Sequence, residues 1–480
     1  MNAGRAARVL LACLAVWFAG AGCRRSSPDV TAELTPILQS ERGSSKRDKV
    51  VWTDVRNVYG VREGEPFWVT DREVARVADD ALASIRRAAE HGLDPEHYGA
   101  TDLGREVERL RAADRAERTA AALARLDSNL TRALLDLGRD VAVGVSDTLP
   151  PGVIVREAGR TPPDVATRLS AIVEEGDLAA WPDDVRPRHL QYAALQAALK
   201  ALLAGGPVAA PGPPEPAGDR SKATPGAAAQ PSDRQRIAFN MERWRHMPDD
   251  LGARHILVNI PQFHLWVREG DRVVHNQRII VGTQGDQTPI FSADMNQVVF
   301  SPYWNLPESI VEGETLPAIL RNPSYLERNN MEVLRRSGGS VERVDPSTVD
   351  WNDPSVTKEL SLRQRPGPSN ALGHVKFLMP NRHAVYLHDT PADQLFDKTG
   401  RAFSHGCVRL EEPIALAKYV LADQPEWTEE KIKTAMHSGD EQVVKLKQPL
   451  PVHLVYFTAW VDETGKVQVF KDVYSRDRLK

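Results

Sequence analysis

Between residues 46 and 204 the apolar positions recur at helical spacing. Val74, Val77, Ala78, Ala81, Leu82, Ile85 and Ala89 share one face at a 3.6-residue period. Thr70 or Asp71 is the expected N-cap of that helix, and Gly92 followed by Pro95 its stop. Leu123, Leu126, Leu130, Leu134 and Leu137 mark a second helix. The mixed-charge run REVERLRAADRAER before it reads as a solvated helix face. Tyr192, Leu195, Leu199 and Leu202, after Arg186 and Pro187, form a last amphipathic piece. No nucleophile, base or metal cluster falls in this half, which reads as scaffold.

Residues 205–233 contain seven Pro and five Gly, with Val208 the only sizeable apolar side chain. Such a stretch buries too little surface to offset its ordering entropy and reads as a linker. After one more helix near Ile237–Trp244 the period falls to two. His255–Ile260 alternates, and Leu265-Trp266-Val267 meets Arg272-Val273-Val274 across Glu269-Gly270-Asp271, which predicts a hairpin. Further strands are expected at 279–281, 297–300, 375–378, 384–387, 452–461 and 467–473. The 66 residues from Asn305 to Asn370 are polar and proline-punctuated. Capping-box patterns at Ser309/Glu312 and Ser324/Glu327 predict short helices there. An excursion of that length between strands suits a lid over a site, and equally an inert decoration.

At the N-terminus Arg5 and Arg8 precede thirteen uncharged residues, Val9–Ala21, too short to span a bilayer but suited to an export signal. Gly20-Ala21-Gly22-Cys23 then resembles a lipobox, with Cys23 acylated as the mature N-terminus, although Gly20 stands where that pattern carries Leu. Ala19-Gly20-Ala21 is the alternative, a cleavage site giving a soluble periplasmic protein. Either way the expected location is outside the cytoplasmic membrane, with a lipid anchor as the sole membrane contact. Basic and acidic residues number 61 and 65, a net charge of −4, which lacks the electrostatic footprint of a nucleic-acid binder. Three cysteines (Cys13, Cys23 and Cys407) are too few for a disulfide framework, and two of them belong to the signal.

Cys407 is therefore the thiol to explain. It lies in Ser404-His405-Gly406-Cys407-Val408-Arg409, nineteen positions after His388 at the end of Val385-Tyr386-Leu387. A thiol attacks only as thiolate, which needs a neighbouring base or positive charge. His388 could take the proton across a hairpin-like connection. Gly406 admits close approach, and the amides around it could donate to a developing oxyanion. In an extended chain Arg409 shares the face of Cys407, where it could favour the thiolate or hold a substrate carboxylate. A lone Cys is also commonly a small buried hydrophobe. A zinc site drawn from His374, His383, His388, His405 and Cys407 has no CxxC or HExxH spacing behind it. His374 and His383 read as strand-edge and turn histidines.

The segment Val385-Tyr386-Leu387-His388-Asp389-Thr390 followed by the Ser404–Arg409 motif resembles the signature of L,D-transpeptidases with a YkuD-type catalytic domain. The blocks 240–245, Gln287-Thr288-Pro289, Pro302-Tyr303-Trp304-Asn305, 365–373 and 456–462 resemble its large YcbB-type branch. So do Gly92-Leu93-Asp94-Pro95 and 126–131 in the helical half. That branch carries a small peptidoglycan-binding module where this chain has its Pro/Ala linker, so docking of glycan strands by that route is in doubt.

The resemblance implies a multidomain protein. A signal (1–22), a polar tether (23–45), a helical scaffold domain (46–204) and a linker (205–233) would precede a mainly β catalytic domain (234–480) with a lid-like insertion at 305–370. It implies Cys407 as nucleophile and His388 as base. Amides of His405, Gly406 and Cys407 would form the oxyanion hole, with Ser404, Tyr386, Arg409, Tyr303 and Trp304 as substrate-binding residues, the last two at the lid's root. It implies no metal or organic cofactor. Donor and acceptor would be peptidoglycan tetrapeptide stems joined 3→3 with release of D-Ala, and carbapenems would acylate Cys407. The same acyl-enzyme could instead anchor a protein to the wall or hydrolyse stem links, and a non-catalytic wall-binding protein is the third reading.

Overall fold

The computed structural model describes residues 28–40, 43–70, 73–114, 116–145, 164–206, 232–337, 340–353 and 355–477. The export signal, Cys23 and nearly all of the 205–233 linker lie outside the described residues. The chain divides into two compact units, Met1–Ala142 with Pro162–Arg186 and Val143–Thr161 with Pro187–Lys480.

The first unit is helical. Helices α1 (Pro28–Ser40), α2 (Lys46–Val61), α3 (Val77–Arg86), α4 (Ala100–Ala112), α5 (Ala120–Val143) and α6 (Val165–Glu175) make up most of it. Helix α1 occupies the stretch expected as a polar tether. Its Val30 and Leu34, one turn apart, are fully buried, and Ile37 and Leu38 continue the same apolar face, so burial of that face supports the helix. Helix α3 begins at Val77 instead of Asp71. Thr70 is used in a two-residue antiparallel ribbon, β1 (Val69–Thr70) with β2 (Glu73–Val74). Gly92 closes the helical turn after α3 at φ 72°, a left-handed stop as its position predicts. In α4 only Ala100, Val107 and Leu110 are buried, so the mixed-charge run is indeed a solvated face.

A single carboxylate ties this unit together. Asp127, fully buried on α5, accepts from the Tyr59 hydroxyl of α2 (2.5 Å) and from the amides of Phe67 (3.1 Å) and Trp68 (2.6 Å). The Trp68 indole N–H donates in turn to Thr131 Oγ1, one turn along α5 (2.9 Å).

The second unit begins with α7 (Leu190–Leu203) and α8 (Asp233–Arg245). Tyr192, Leu195 and Leu199 of α7 join the apolar core of this unit, so by packing the boundary falls near Pro187, where the sequence pattern had carried the helical domain to 204. The strands are β3 (Arg254–Asn259), β4 (His264–Glu269), β5 (Arg272–Gly282) and β6 (Phe291–Phe300), then β7 (Trp304–Asn305) at the start of the insertion. Within the insertion come α9 (Glu308–Ile310), α10 (Leu316–Arg321), α11 (Tyr325–Arg328), β8 (Met331–Ser337), β9 (Ser340–Val344), α12 (Val356–Glu359) and β10 (Leu360–Gln364). After it come β11 (Val375–Leu378), β12 (Leu387–His388), β13 (Ala402–Ser404), β14 (Val408–Leu410), α13 (Pro413–Val420), α14 (Glu429–Met436), β15 (Gln442–Val455), β16 (Ala459–Val461) and β17 (Val467–Val469).

The main sheet runs β13-β5-β14-β12-β11-β6-β15-β3-β4, and a further β4–β5 pairing closes it into a barrel. The expected hairpin forms with Glu269 opposite Arg272. The strand expected at 384–387 is shorter: Ala384 sits at φ 53°, and the Asn381 side chain spans the turn to both main-chain groups of Val385, so pairing starts only at Leu387.

The insertion is more than short helices. It contains a four-stranded antiparallel sheet, β7-β10-β8-β9, with its own small core of Leu306, Val311, Ile319, Leu326, Val333, Val344 and Leu362. The two capping boxes do not form as such: Ser309 lies inside α9, and Ser324 makes no side-chain cap bond.

Asp127→Ala leaves the two buried amides of Phe67 and Trp68 without an acceptor and removes one of the two partners of the Tyr59 hydroxyl, and is expected to destabilise the first unit by about 2–4 kcal/mol. Urea unfolding followed by tryptophan fluorescence measures it; a loss below about 0.5 kcal/mol, the level of an ordinary surface change, would contradict this account.

Candidate active site

Strands β12 and β14 are neighbours in the barrel wall and run parallel, with Leu387 opposite Val408 and His388 opposite Arg409. They are not the two arms of a hairpin. The segment between them instead returns through β13, which pairs with β5. Side chains in register on adjacent strands share a face, as do residues two apart. His388 and Tyr386 on one strand therefore project with Arg409 and Cys407 on the next.

The contacts agree. The Tyr386 main-chain amide and hydroxyl both donate toward the Cys407 sulfur, the Tyr386 and His388 rings lie 5.7 Å apart, and the Arg409 charge acts on both Cys407 and His388.

The main chain around the sulfur is fixed from several sides. Gly406 sits at φ 110°, a conformation that a side chain disfavours. Its carbonyl accepts from Thr288 Oγ1 (2.8 Å), and that same hydroxyl oxygen accepts from the Gly282 amide (2.9 Å). Tyr474 closes the loop, accepting from the Thr288 amide (3.1 Å) and donating to the Gly282 carbonyl (2.7 Å). Ser404 is buried, and its hydroxyl donates to the Cys407 carbonyl (2.5 Å) and accepts from the Gly406 amide (3.1 Å). Ser404 thus braces the loop from a buried position. Of the three amides expected to meet an oxyanion, that of Gly406 is committed to Ser404; the pair left is His405 and Cys407.

Burial sets the protonation states. It drives the His388 imidazole down to about 3, helped by the nearby positive charge of Arg409. His388 Nδ1 donates to the Asp389 carbonyl (2.5 Å), and the Leu372 carbonyl also lies against the ring. Burial also pushes the Cys407 thiol up, against the Tyr386 hydrogen bonds and the Arg409 charge. Both shifts favour the uncharged forms, a thiol and a neutral imidazole, over a thiolate–imidazolium pair.

The remaining expected residues divide. His405 points away from the sulfur's loop and its Nε2 meets Glu314 Oε1 of the insertion at 2.7 Å. Tyr303 lies beneath the Arg363 guanidinium, 4.0 Å from it, and its carbonyl accepts from Lys376 Nζ (3.1 Å). Trp304, half-buried, packs against the insertion's apolar core, as does Trp351. His374 and His383 lie apart, His374 beside His437 and His383 beside Phe291. Among the described residues no cluster of three His, Cys, Asp or Glu side chains is placed to hold a metal. Thr288, Tyr474 and Glu314 were not singled out by spacing; Thr288 stood in a recognised block, but nothing in the sequence ties it to Gly406.

These protonation states have a direct readout. Since only thiolate alkylates, the rate of Cys407 with iodoacetamide is expected to climb about tenfold per pH unit up to and beyond pH 9, with no step near 6.5. At pH 7 the folded protein should react at least about tenfold more slowly than the urea-unfolded chain. Arg409→Gln, which removes the one charge favouring thiolate, should move the curve to higher pH. A plateau between pH 5 and 8 would instead reveal a thiolate–imidazolium pair and overturn the assignment.

Comparison with known proteins agrees with this geometry. Residues 253–444 match the family model of the YkuD L,D-transpeptidase catalytic domain, and residues 53–199 match that of a Scaffold domain. A Haemophilus influenzae protein named "Putative L,D-transpeptidase" is 37% identical over 245 residues, covering 51% of this chain and 48% of the relative, so the chain spans about half the length of the curated relative it matches. The solved L,D-transpeptidase from Mycobacterium smegmatis is 12% identical over 42% of this chain and 58% of that one; at a TM-score of 0.21 it does not bear on the fold. A closed β barrel bearing the cysteine motif, preceded by a helical Scaffold unit, identifies residues 253–444 as a member of the YkuD family of L,D-transpeptidase catalytic domains.

Proposed function

We propose that the protein is a peptidoglycan L,D-transpeptidase that joins stem peptides 3→3 through a thioester on Cys407. The observation that carries the reading is the shared face of Cys407, Tyr386, His388 and Arg409 inside the matched domain. His388 Nε2 takes the thiol proton as the sulfur attacks the carbonyl between the diamino acid and the terminal D-Ala of a tetrapeptide stem. The S–C bond forms, and the oxyanion is met by the amides of His405 and Cys407. The tetrahedral intermediate collapses with cleavage of the C–N bond, and D-Ala leaves with the proton from His388.

The side-chain amine of a second stem then attacks the thioester. His388 accepts its proton and returns it to the departing sulfur, so the neutral pair is restored. A neutral resting pair suits this cycle, because the imidazole must be unprotonated at each attack. Arg409 steadies the thiolate while it exists.

Water competes with the amine for the thioester, so transfer requires a covered site. The 305–370 insertion is the proposed cover, and the Glu314–His405 contact holds it beside the reactive loop. An exported location, with a lipid anchor at Cys23, supplies access to the wall; no helix among the described residues is long and apolar enough to cross a membrane. A carbapenem, whose ring carbonyl resembles the acyl donor, is expected to acylate Cys407.

The test is incubation with disaccharide-tetrapeptide and mass spectrometry of the products. A dimer with loss of one D-Ala is expected, together with a carbapenem adduct on Cys407, and Cys407→Ala should abolish both. Tripeptide monomer alone would replace transfer by hydrolysis, and neither turnover nor adduct in folded protein would leave a wall-binding role.

A further inference from the structure

The insertion's sheet has two unlike faces. Val333 of β8, Val344 of β9 and Leu362 of β10 point into the insertion's own core. The alternate positions make the other face: Glu332 lies opposite Arg363 across β8 and β10, and Arg343 on edge strand β9 lies opposite Leu334.

On that face three guanidiniums converge on one carboxylate. Glu332 is paired with Arg343, with Arg363 at 2.7 Å and with Arg365 at 2.5 Å. The Glu332 side chain is 1% exposed, whereas those of the arginines are 59%, 30% and 40% exposed in the same order. Three positive charges less one negative leave a surplus of two. Each arginine spends part of its donor fork on Glu332, which fixes the planar group and leaves its outer N–H groups toward solvent. That is the arrangement suited to bidentate capture of a carboxylate.

The face is also joined to the reactive centre. Arg363 stacks on Tyr303, the Tyr303 carbonyl accepts from Lys376 Nζ, and Lys376 lies in register with His388.

We propose that this face, organised by Glu332 and presenting Arg343, Arg363 and Arg365, binds a free carboxylate of the peptide stem away from the bond being broken. The inference rests on the transpeptidase reading and deepens it: the insertion selects acidic stems as well as covering the site. A stem whose carboxylates are amidated loses this contact.

The test uses the full chain carrying Cys407→Ala, titrated calorimetrically with disaccharide-tetrapeptide in its free-acid form and in a form amidated on its stem carboxylates. The free acid is expected to bind about tenfold more tightly, and adding Arg343→Gln should weaken it about five- to tenfold while leaving the amidated form unchanged. In the Cys407 protein, Arg343→Gln should raise KM and leave kcat intact. Equal affinity of the parent for acid and amide overturns the proposal without reliance on any arginine variant, as does an unaltered KM in Arg343→Gln. Failure of the underlying reading looks different: the protein with Cys407 intact would not turn over either form. If carboxylate-dependent binding persists without turnover, the binding site stands and the reaction falls.

Discussion

The chemistry depends on the parallel pairing of two very short strands. β12 and β14 contribute only a few residues each, yet their register sets four side chains on one face: a phenol, an imidazole, a thiol and a guanidinium. A slip of one residue would turn Cys407 and Arg409 to the opposite face, since strand side chains alternate. The register is held from outside the pair. β5 flanks β14 and β13 together, and the Thr288–Tyr474–Gly282 bonds fix the main chain on the far side of Gly406. Closing the sheet into a barrel leaves this part of the wall no free edge along which to drift.

Much of this could be read from the residues. The switch from a period near 3.6 to a period of two separated helical from β regions, and the cysteine motif with its distant histidine marked the reactive face. What escaped the reading did so for physical reasons. Helix α1 carries Val30, Leu34, Ile37 and Leu38 at helical spacing, a short pattern that the reading of this stretch as a polar tether passed over. Helix α7 looks like its predecessors in pattern, but which core receives Tyr192, Leu195 and Leu199 is a tertiary matter. The insertion's sheet hid because one face is charged, so its strands carry few apolar positions each, and proline and glycine between them suggested irregular chain. Thr288 could not be assigned because its partner is 118 residues away.

The roles of Ser404 and Trp304 show how a motif can be legible while its division of labour is not. Both stand in segments that resemble the family, and both were expected to face a ligand. The Ser404 hydroxyl bonds to the main chain two and three residues further on, and Trp304 packs partly against the insertion's core. Lining and bracing residues are interleaved within a few positions, and only side-chain geometry separates them. His405 divides between the two functions in one residue: its amide stays with the reactive loop and its ring reaches the insertion.

Burial that pushes the Cys407 thiol up also bears on its oxidation. Peroxides and stray disulfides react with thiolate far faster than with thiol. The burial that disfavours the Cys407 thiolate also disfavours those oxidations, protecting the sulfur against sulfenylation and mixed-disulfide formation.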